Sequence, residues 1–252
     1  MPRSSHPPRV VGIFETLAVV KGEPRLLGRH LARAAEGCRR LGLTTPSEPR
    51  LAQHICEQAA LAGTGVVKLS VARSAADASE LPRWNVRAEP PRQRPDAWAR
   101  DGVQIIRCRT RLPLAPALAG LKLLDRGRQV LARSEWTDDS IAEGLMLDYD
   151  GRLISGTMTN VYAVIGGVIV TPALARCGVA GVMRAALIDA WQAAGQAVAI
   201  RDMAPDELTA ASEIFLSNAL IGVWPVRALD GQGLTVGPVA RAAGAAIRGG
   251  IQ

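Results

Sequence analysis

Apolar and polar positions alternate from Val10 to Val20, with Ile13, Leu17 and Val19 in one phase, and that period of two predicts a strand. Lys21-Gly-Glu-Pro24 ends it as a turn. Over Leu26–Leu41 the interval lengthens: Leu27, Leu31, Ala34, Ala35, Cys38 and Leu41 recur at helical spacing, and Gly42 supplies the stop. A second helix is predicted over Glu48–Ala62, opened by the Thr-Thr-Pro-Ser stretch before it. β-Branched alternation returns over Gly65–Arg73, more weakly over Arg83–Ala88 and strongly over Val103–Arg109, with Pro-rich Glu89–Pro95 as a loop. Polar, Pro-rich Met1–Pro8 reads as loose.

Further along, Leu124–Trp136 predicts a helix. Strands follow over Glu143–Asp148, Arg152–Ile165 with a break at Gly156, and Gly167–Thr171, joined by hairpin turns at Asp150-Gly151 and Gly166-Gly167. Val182–Ala194 is an amphipathic helix opened by Gly178–Gly181. Ala197–Arg201 and Glu213–Ser217 read as short strands around a helical turn at Pro205–Leu208, and Trp224–Leu229 as another strand. The last helix, Val239–Arg248, starts behind Pro238, where a missing N–H does no harm. No internal repeat is evident. Arg111–Ala119, with Pro113 and Pro116, is the expected linker between a smaller N-terminal α/β domain over 1–112 and a larger domain over 113–252 that carries Lys122. The fold class is α/β (α+β), with two such layers.

Composition narrows the classes. The 252 residues are 48% hydrophobic and 21% charged, a globular balance that argues against disorder. No apolar run approaches the roughly 18–20 residues of a membrane helix. Val10–Val20 contains Glu15 and has no small-residue cleavage site after it, so a cytoplasmic protein is expected, not a secreted or membrane one. Cys38, Cys56, Cys108 and Cys177 are spread without a C-x-x-C pair, and His6, His30 and His54 are scattered. The expectation is reduced, buried thiols and no metal. The net charge of +7 is dispersed and lacks interleaved aromatics, which argues against nucleic acid and suits a small anionic ligand.

Of the 30 basic residues only Lys21, Lys68 and Lys122 are lysine. Lys21 lies in a turn and Lys68 in the alternating run Gly65–Val71. Lys122 interrupts the apolar stretch Ala-Leu-Ala-Gly-Leu-Lys-Leu-Leu. Set among Leu118, Leu121, Leu123 and Leu124, its amine should be pushed toward neutrality by desolvation, and a neutral amine condenses with an aldehyde. The same pattern also fits a stem packed on leucines with its ammonium snorkelling outward.

Gly178–Arg184 places a Gly-containing turn before a helix, where backbone N–H groups suit a phosphate, although such turns precede many helices that bind nothing. Arg33 has the fork geometry for a phosphate clamp but is one arginine among many. Ser155–Asn160 offers hydrogen-bonding side chains at a strand break, which is also how a polar hairpin edge looks. Together these are what a pyridoxal-phosphate site requires: an amine for the aldehyde, a polar partner for the pyridine nitrogen and donors for the phosphate.

The segment Cys108–Arg133, centred on Lys122, resembles the lysine segment of aminodeoxychorismate lyases, which share a fold class with branched-chain and D-amino-acid aminotransferases. Gly12–Thr16 is similar to that family's early G-x-F-E-T strand and His30–Arg33 to its H-x-x-R helix. Ser155–Asn160 is similar to its S-G-T-x-S-N or E-G-x-x-S-N segment, Gly181–Arg184 to its G-[IV]-x-R helix start, and Ser217–Leu220 to its N-A-L segment.

The resemblance implies a two-domain, D-amino-acid aminotransferase-like fold with pyridoxal 5′-phosphate between the domains, in a homodimer. It implies that Lys122 is catalytic and carries the cofactor through a Schiff base. Arg33 and the backbone of Val182, Met183 and Ala219 would hold the phosphate, Ser155 would face the pyridine nitrogen, and Asn218 would lie near ring or substrate. Thr16, Asn218, Arg107 and Arg109 are the candidate substrate contacts, with Arg111 a further one by position. The implied reaction converts 4-amino-4-deoxychorismate to 4-aminobenzoate and pyruvate, a step toward folate. The alternatives are an aminotransferase of D- or branched-chain amino acids and a non-catalytic member of the fold. The sequence departs from the family where Ser155 replaces a frequent Glu, where G-D-G is reduced to Val10-Val-Gly12, and where H-L-N-R-L-E has become Leu123–Arg128.

Overall fold

A computed structural model describes residues 10–74, 81–91 and 93–249; the Met1–Pro8 segment and His6 lie outside them. The chain forms two compact units. One takes the described residues of Met1–Pro91 with Leu121–Arg126, the other those of Arg92–Gly120 with Gly127–Gln252.

The first unit contains β1 (Val10–Val20), β2 (Glu23–Pro24), α1 (Leu27–Leu41), α2 (Glu48–Ala62), β3 (Gly65–Ser74) and β4 (Arg83–Glu89). Its strands form an antiparallel sheet in the order β2-β1-β3-β4. The period of two has the expected consequence. Ile13, Leu17 and Val19 of β1 and Val67, Leu69 and Val71 of β3 are buried in one core with Leu31, Ala34 and Cys38 of α1 and Leu51, Ile55 and Ala59 of α2. Each of the larger side chains contributes about 1.5–3 kcal/mol by leaving water. The opposite phase stays half-buried: Phe14 lies across from Ser70, and Thr16 across from Lys68. α1 closes at Gly42, whose φ of 61° suits a residue without a side chain, and Arg39 and Arg40 complement the helix dipole in the last turn.

The second unit contains α3 (Asp96–Asp101), β5 (Val103–Leu112), a 3-10 turn (Pro116–Leu118), α4 (Gly127–Arg133), β6 (Ile141–Asp148), β7 (Leu153–Gly156), β8 (Asn160–Ile165) and β9 (Val168–Pro172). It continues with α5 (Val182–Ala193), β10 (Val198–Arg201), a second 3-10 turn (Pro205–Ala210), β11 (Glu213–Asn218), β12 (Gly222–Leu229), β13 (Gln232–Gly233) and α6 (Pro238–Arg248). The sheet runs β10-β9-β8-β11-β12-β5-β6-β7, with β13 paired to β12. β10–β9, β12–β5 and β5–β6 are parallel pairs and the others antiparallel, which gives the mixed α/β class expected from the sequence. Its interior includes Tyr162 stacked on Phe215 with 4.9 Å between ring centres.

Three expectations need correction. The helix foreseen over Leu124–Trp136 is confined to α4, because Leu121–Arg126 is used as an extended segment against β1. The Phe14 N–H donates to the Lys122 carbonyl (3.0 Å) and the Leu124 N–H to the Gly12 carbonyl (2.9 Å), while Leu123 bridges Ile13. The units also divide elsewhere than at 112/113: β5 belongs with the second, held there between β6 and β12, and the lysine segment belongs with the first. Cys56 is exposed, whereas Cys38, Cys108 and Cys177 are buried as expected.

Candidate active site

Lys122 lies in the first unit, with its Nζ 4.1 Å from the centre of the Phe14 ring. Burial of the amine, seconded by the charge of Arg33, draws it down from the ordinary lysine value to about 7; Glu15 opposes this and Arg126 adds to it. The expected leucine niche is only part of its setting. Leu121 is buried and Leu123 packs on the core, but Leu118 is exposed, and the side chain that the amine covers is Phe14.

Behind Phe14 sits Glu15, in the core-facing phase of β1 and only 1% exposed. Its carboxylate lies 2.6 Å from His30 Nδ1 and accepts Arg33 Nε at 2.7 Å and Nη2 at 2.5 Å. Burial alone would raise the Glu15 carboxyl; hydrogen bonds and charge from His30 and Arg33 overcome that and hold it at about 2. His30, equally buried, is pushed down by desolvation against the pull of Glu15. The arrangement fixes Arg33 edge-on to Glu15. Spacing had assigned Arg33 a role but given Glu15 none. The available signal was a lone carboxylate in the apolar phase Ile13, Leu17, Val19.

The remaining candidates gather in the second unit. Glu143 of β6, fully buried, organises the turn after Gly156. Its carboxylate accepts the N–H groups of Gly144, Thr157 and Met158 and the hydroxyls of Thr157 and Thr159. Ser155 is buried at the end of β7 and gives its hydroxyl proton to the Gly156 carbonyl at 2.9 Å, which leaves its oxygen lone pairs as acceptors. The Asn160 amide donates to the Val179 carbonyl, 3.0 Å away. Asn218 donates to the Met158 carbonyl at 3.1 Å and accepts the N–H groups of Leu220 and Ile221, so it ties the Ser155–Asn160 break to the turn holding Ala219.

α5 begins at Gly181 with no side-chain cap and no acidic residue in its first turn. The first N–H groups of the helix, at the buried Val182 and Met183, therefore suit an anion. A Cβ at Gly181 would stand 2.0 Å from Asn160 Oδ1, so the close approach requires glycine. Gly120, where the chain leaves this unit two residues before Lys122, is bridged to Val179.

The proposed substrate arginines fare differently. Arg107 is bound by Asp230 and lies 3.8 Å from Asp206. Arg109 is 92% exposed, its backbone N–H held by Glu135. Carboxylates thus answer Arg107, and the Arg109 side chain, almost fully exposed, has its Nε 3.9 Å from Glu135 Oε2. Thr16 is half-buried on the Phe14 face of β1.

A family model described as amino-transferase class IV matches residues 12–229. The aminodeoxychorismate lyase of Vibrio harveyi is 38% identical over 134 residues, 53% of this chain and 49% of that protein, so the match spans about half the length of that curated relative. The crystal structure of 4-amino-4-deoxychorismate lyase from Pseudomonas aeruginosa superposes with a TM-score of 0.90 at 46% identity, covering 94% of this chain and 90% of the other. The T.th. branched-chain amino acid aminotransferase, solved with pyridoxamine 5′-phosphate, superposes with a TM-score of 0.82 at 20% identity, covering 94% and 83%, a likeness of fold.

Proposed function

The chain belongs to the class IV aminotransferases, and from that membership we propose that it is a lyase converting 4-amino-4-deoxychorismate to 4-aminobenzoate and pyruvate. The enzymes of this family depend on pyridoxal 5′-phosphate, and the residues present fit it: an amine near neutrality at Lys122 and an uncapped helix start at Gly181. The observation that carries the lyase reading is the 46% identity with the Pseudomonas aeruginosa lyase along 94% of the chain.

When bound, the cofactor supplies an aldehyde for an amine and a ring that accepts electrons. Lys122 Nζ would hold that aldehyde. The amides of Val182, Met183 and Ala219 would hold the phosphate, a role that the family resemblance also gives Arg33, which Glu15 keeps in place. Ser155 Oγ, with its proton committed to Gly156, would accept from a protonated pyridine nitrogen more weakly than a carboxylate would. That weaker partner costs an aromatising elimination less than it costs a transamination, which favours the lyase. Lys122 Nζ would take the proton from the ring carbon that bears the nitrogen, as the C–O bond to enolpyruvate on the adjacent carbon breaks. It then returns a proton to the methylene carbon of the departing enolpyruvate, giving pyruvate. A base with a pKa of about 7 suits both transfers at neutral pH. Thr16 and Asn218 are the proposed substrate contacts.

We further propose a cytoplasmic homodimer. The four thiols are free, which suits a reducing compartment, and the family resemblance implies the dimer. The test is incubation with 4-amino-4-deoxychorismate. The protein should release 4-aminobenzoate, and Lys122→Ala should lower the rate at least about a hundredfold, as expected on losing a general acid–base group. Product unaffected by the substitution contradicts the mechanism. Pyridoxamine phosphate formed from an added amino acid, without 4-aminobenzoate, would instead make the protein an aminotransferase.

A further inference from the structure

Glu143 is a fully buried carboxylate to which the reaction gives no part. Its oxygens receive five donors from one short stretch of chain. The N–H groups of Gly144 and Thr157, both at 3.0 Å, and the Thr157 hydroxyl at 2.5 Å reach Oε1. The Met158 N–H and the Thr159 hydroxyl, each at 3.0 Å, reach Oε2. A Cβ at Gly156 would stand 2.8 Å from Glu143 Cδ and 2.1 Å from Thr159 Oγ1, so the strand break closes around the carboxylate only with glycine there. Neutral donors offset part of the cost of burying the charge. No cation among the described residues pairs with it, so the groups around it feel the charge undiminished.

The nearest path for that charge leads to Ser155. The Thr157 N–H and the Gly156 carbonyl belong to one trans peptide unit and point opposite ways. The N–H side faces Glu143 and is shared with the Gly144 carbonyl at 3.1 Å. The carbonyl side receives the Ser155 hydroxyl proton at 2.9 Å. Hydroxyl, peptide and carboxylate therefore stand head to tail, each donating toward Glu143, and in such a chain each hydrogen bond strengthens its neighbour by roughly 10–30%.

We propose that Glu143 is a positioning residue for the pyridine nitrogen of the cofactor: through the Gly156–Thr157 peptide it holds the Ser155 hydroxyl as an acceptor, so that the ring keeps its nitrogen proton. This rests on the reading that Ser155 faces that nitrogen. The carboxylate that a glutamate at position 155 would bring directly is supplied here from one peptide further back. No proton changes owner; a fixed charge orients two dipoles. With Gln at position 143 the neutral Gly144 carbonyl still holds the peptide, but the charge at the end of the chain is gone. The Ser155 hydroxyl then turns to donate to a bare ring nitrogen, and the ring accepts electrons less well.

Nitrogen NMR of holoenzyme reconstituted with pyridoxal 5′-phosphate isotope-labelled at the ring nitrogen reads that proton directly. Wild-type protein should show the protonated pyridine signal. Ser155→Ala should move it toward the unprotonated position, and Glu143→Gln should move it the same way. The double variant should move it no further than Ser155→Ala alone, because both changes cut one chain. Glu143→Asp, which keeps the charge, should stay nearer wild type than Glu143→Gln. A role confined to holding the turn would change stability without moving this signal. A folded Glu143→Gln protein with the wild-type signal overturns the proposal, as does a double variant displaced beyond Ser155→Ala. An unmoved signal in Ser155→Ala removes the reading of Ser155 and the proposal with it, whereas a signal moved by Ser155→Ala and not by Glu143→Gln removes only the proposal. Should Glu143→Gln not fold, the other samples still decide: a ring nitrogen without its proton in wild-type protein, or a Glu143→Asp signal as displaced as that of Ser155→Ala, contradicts the proposal.

Discussion

Glu15 occupies the core side of β1 between Ile13 and Leu17, where an ion is tolerated only with its partners in place. Its carboxyl titrates at about 2 in the folded chain against 4.5 ordinarily. A depressed carboxyl pKa contributes stability that is fully present above 4.5 and is lost as pH falls from there through 2, because the unfolded chain then binds the proton first. The wild-type urea midpoint should therefore drop steeply between about pH 5 and 2. Glu15→Gln should be less stable at neutral pH by about 1.5–3 kcal/mol and should have a shallower acid slope. Equal slopes in the two proteins contradict the assignment. The sequence displayed this residue without its job. Glu15 and His30 stand in two quoted motifs, but their contact spans fifteen residues and follows from α1 folding back over the sheet, which no local pattern encodes. Lys122 was the easier residue to find, because a charge inside an apolar run is visible on one line of text. Its partner Phe14 was not, since the pairing of Leu121–Arg126 with β1 is a long-range event.

Secondary structure was legible where a period was long and unshared. The alternation of β1 and β3, the helical spacing of α1 and α5 and the Asp-Gly and Gly-Gly hairpins all appear at the expected places. The failure at Leu124–Trp136 has a physical source. Leu121, Leu123 and Leu124 are dense enough to suggest a helix, yet the backbone groups there are satisfied by Gly12 and Phe14 instead of by a helical turn. α3, six residues long with no buried side chain, was too short and polar to signal itself. The helix start at Gly181 was legible as a glycine turn, and the structure adds the reason for glycine there. Gly181→Ala would drive a methyl group against Asn160 Oδ1 and displace the amide from the Val179 carbonyl. The variant should lose about 1–3 kcal/mol of stability. Millimolar phosphate, which should raise the melting temperature of the wild-type protein by binding the folded state, should no longer raise that of the variant. An equal phosphate-induced rise in both proteins contradicts the anion site.

For the molecule as a whole, the chain passes from the first unit to the second after Pro91, returns for Leu121–Arg126, and leaves again at Gly127. That excursion sets Lys122 against β1 of the first unit, while the helix start at Gly181 and the Ser155–Asn160 break belong to the second. The sequence reading foresaw two units and a mixed α/β fold but set the division at a Pro-rich stretch. Composition marks a linker by flexibility, whereas here β5 pairs with both β6 and β12, and its pairing with β6 runs on through Arg111 and Leu112 into that stretch. The account stands on Lys122 as the bond to the cofactor, and a chain with three lysines makes that bond simple to locate. Borohydride reduction of the holoenzyme followed by peptide mapping should find the phosphopyridoxyl group on Lys122. Finding it on Lys21 or Lys68 instead, or on no lysine, would contradict the account.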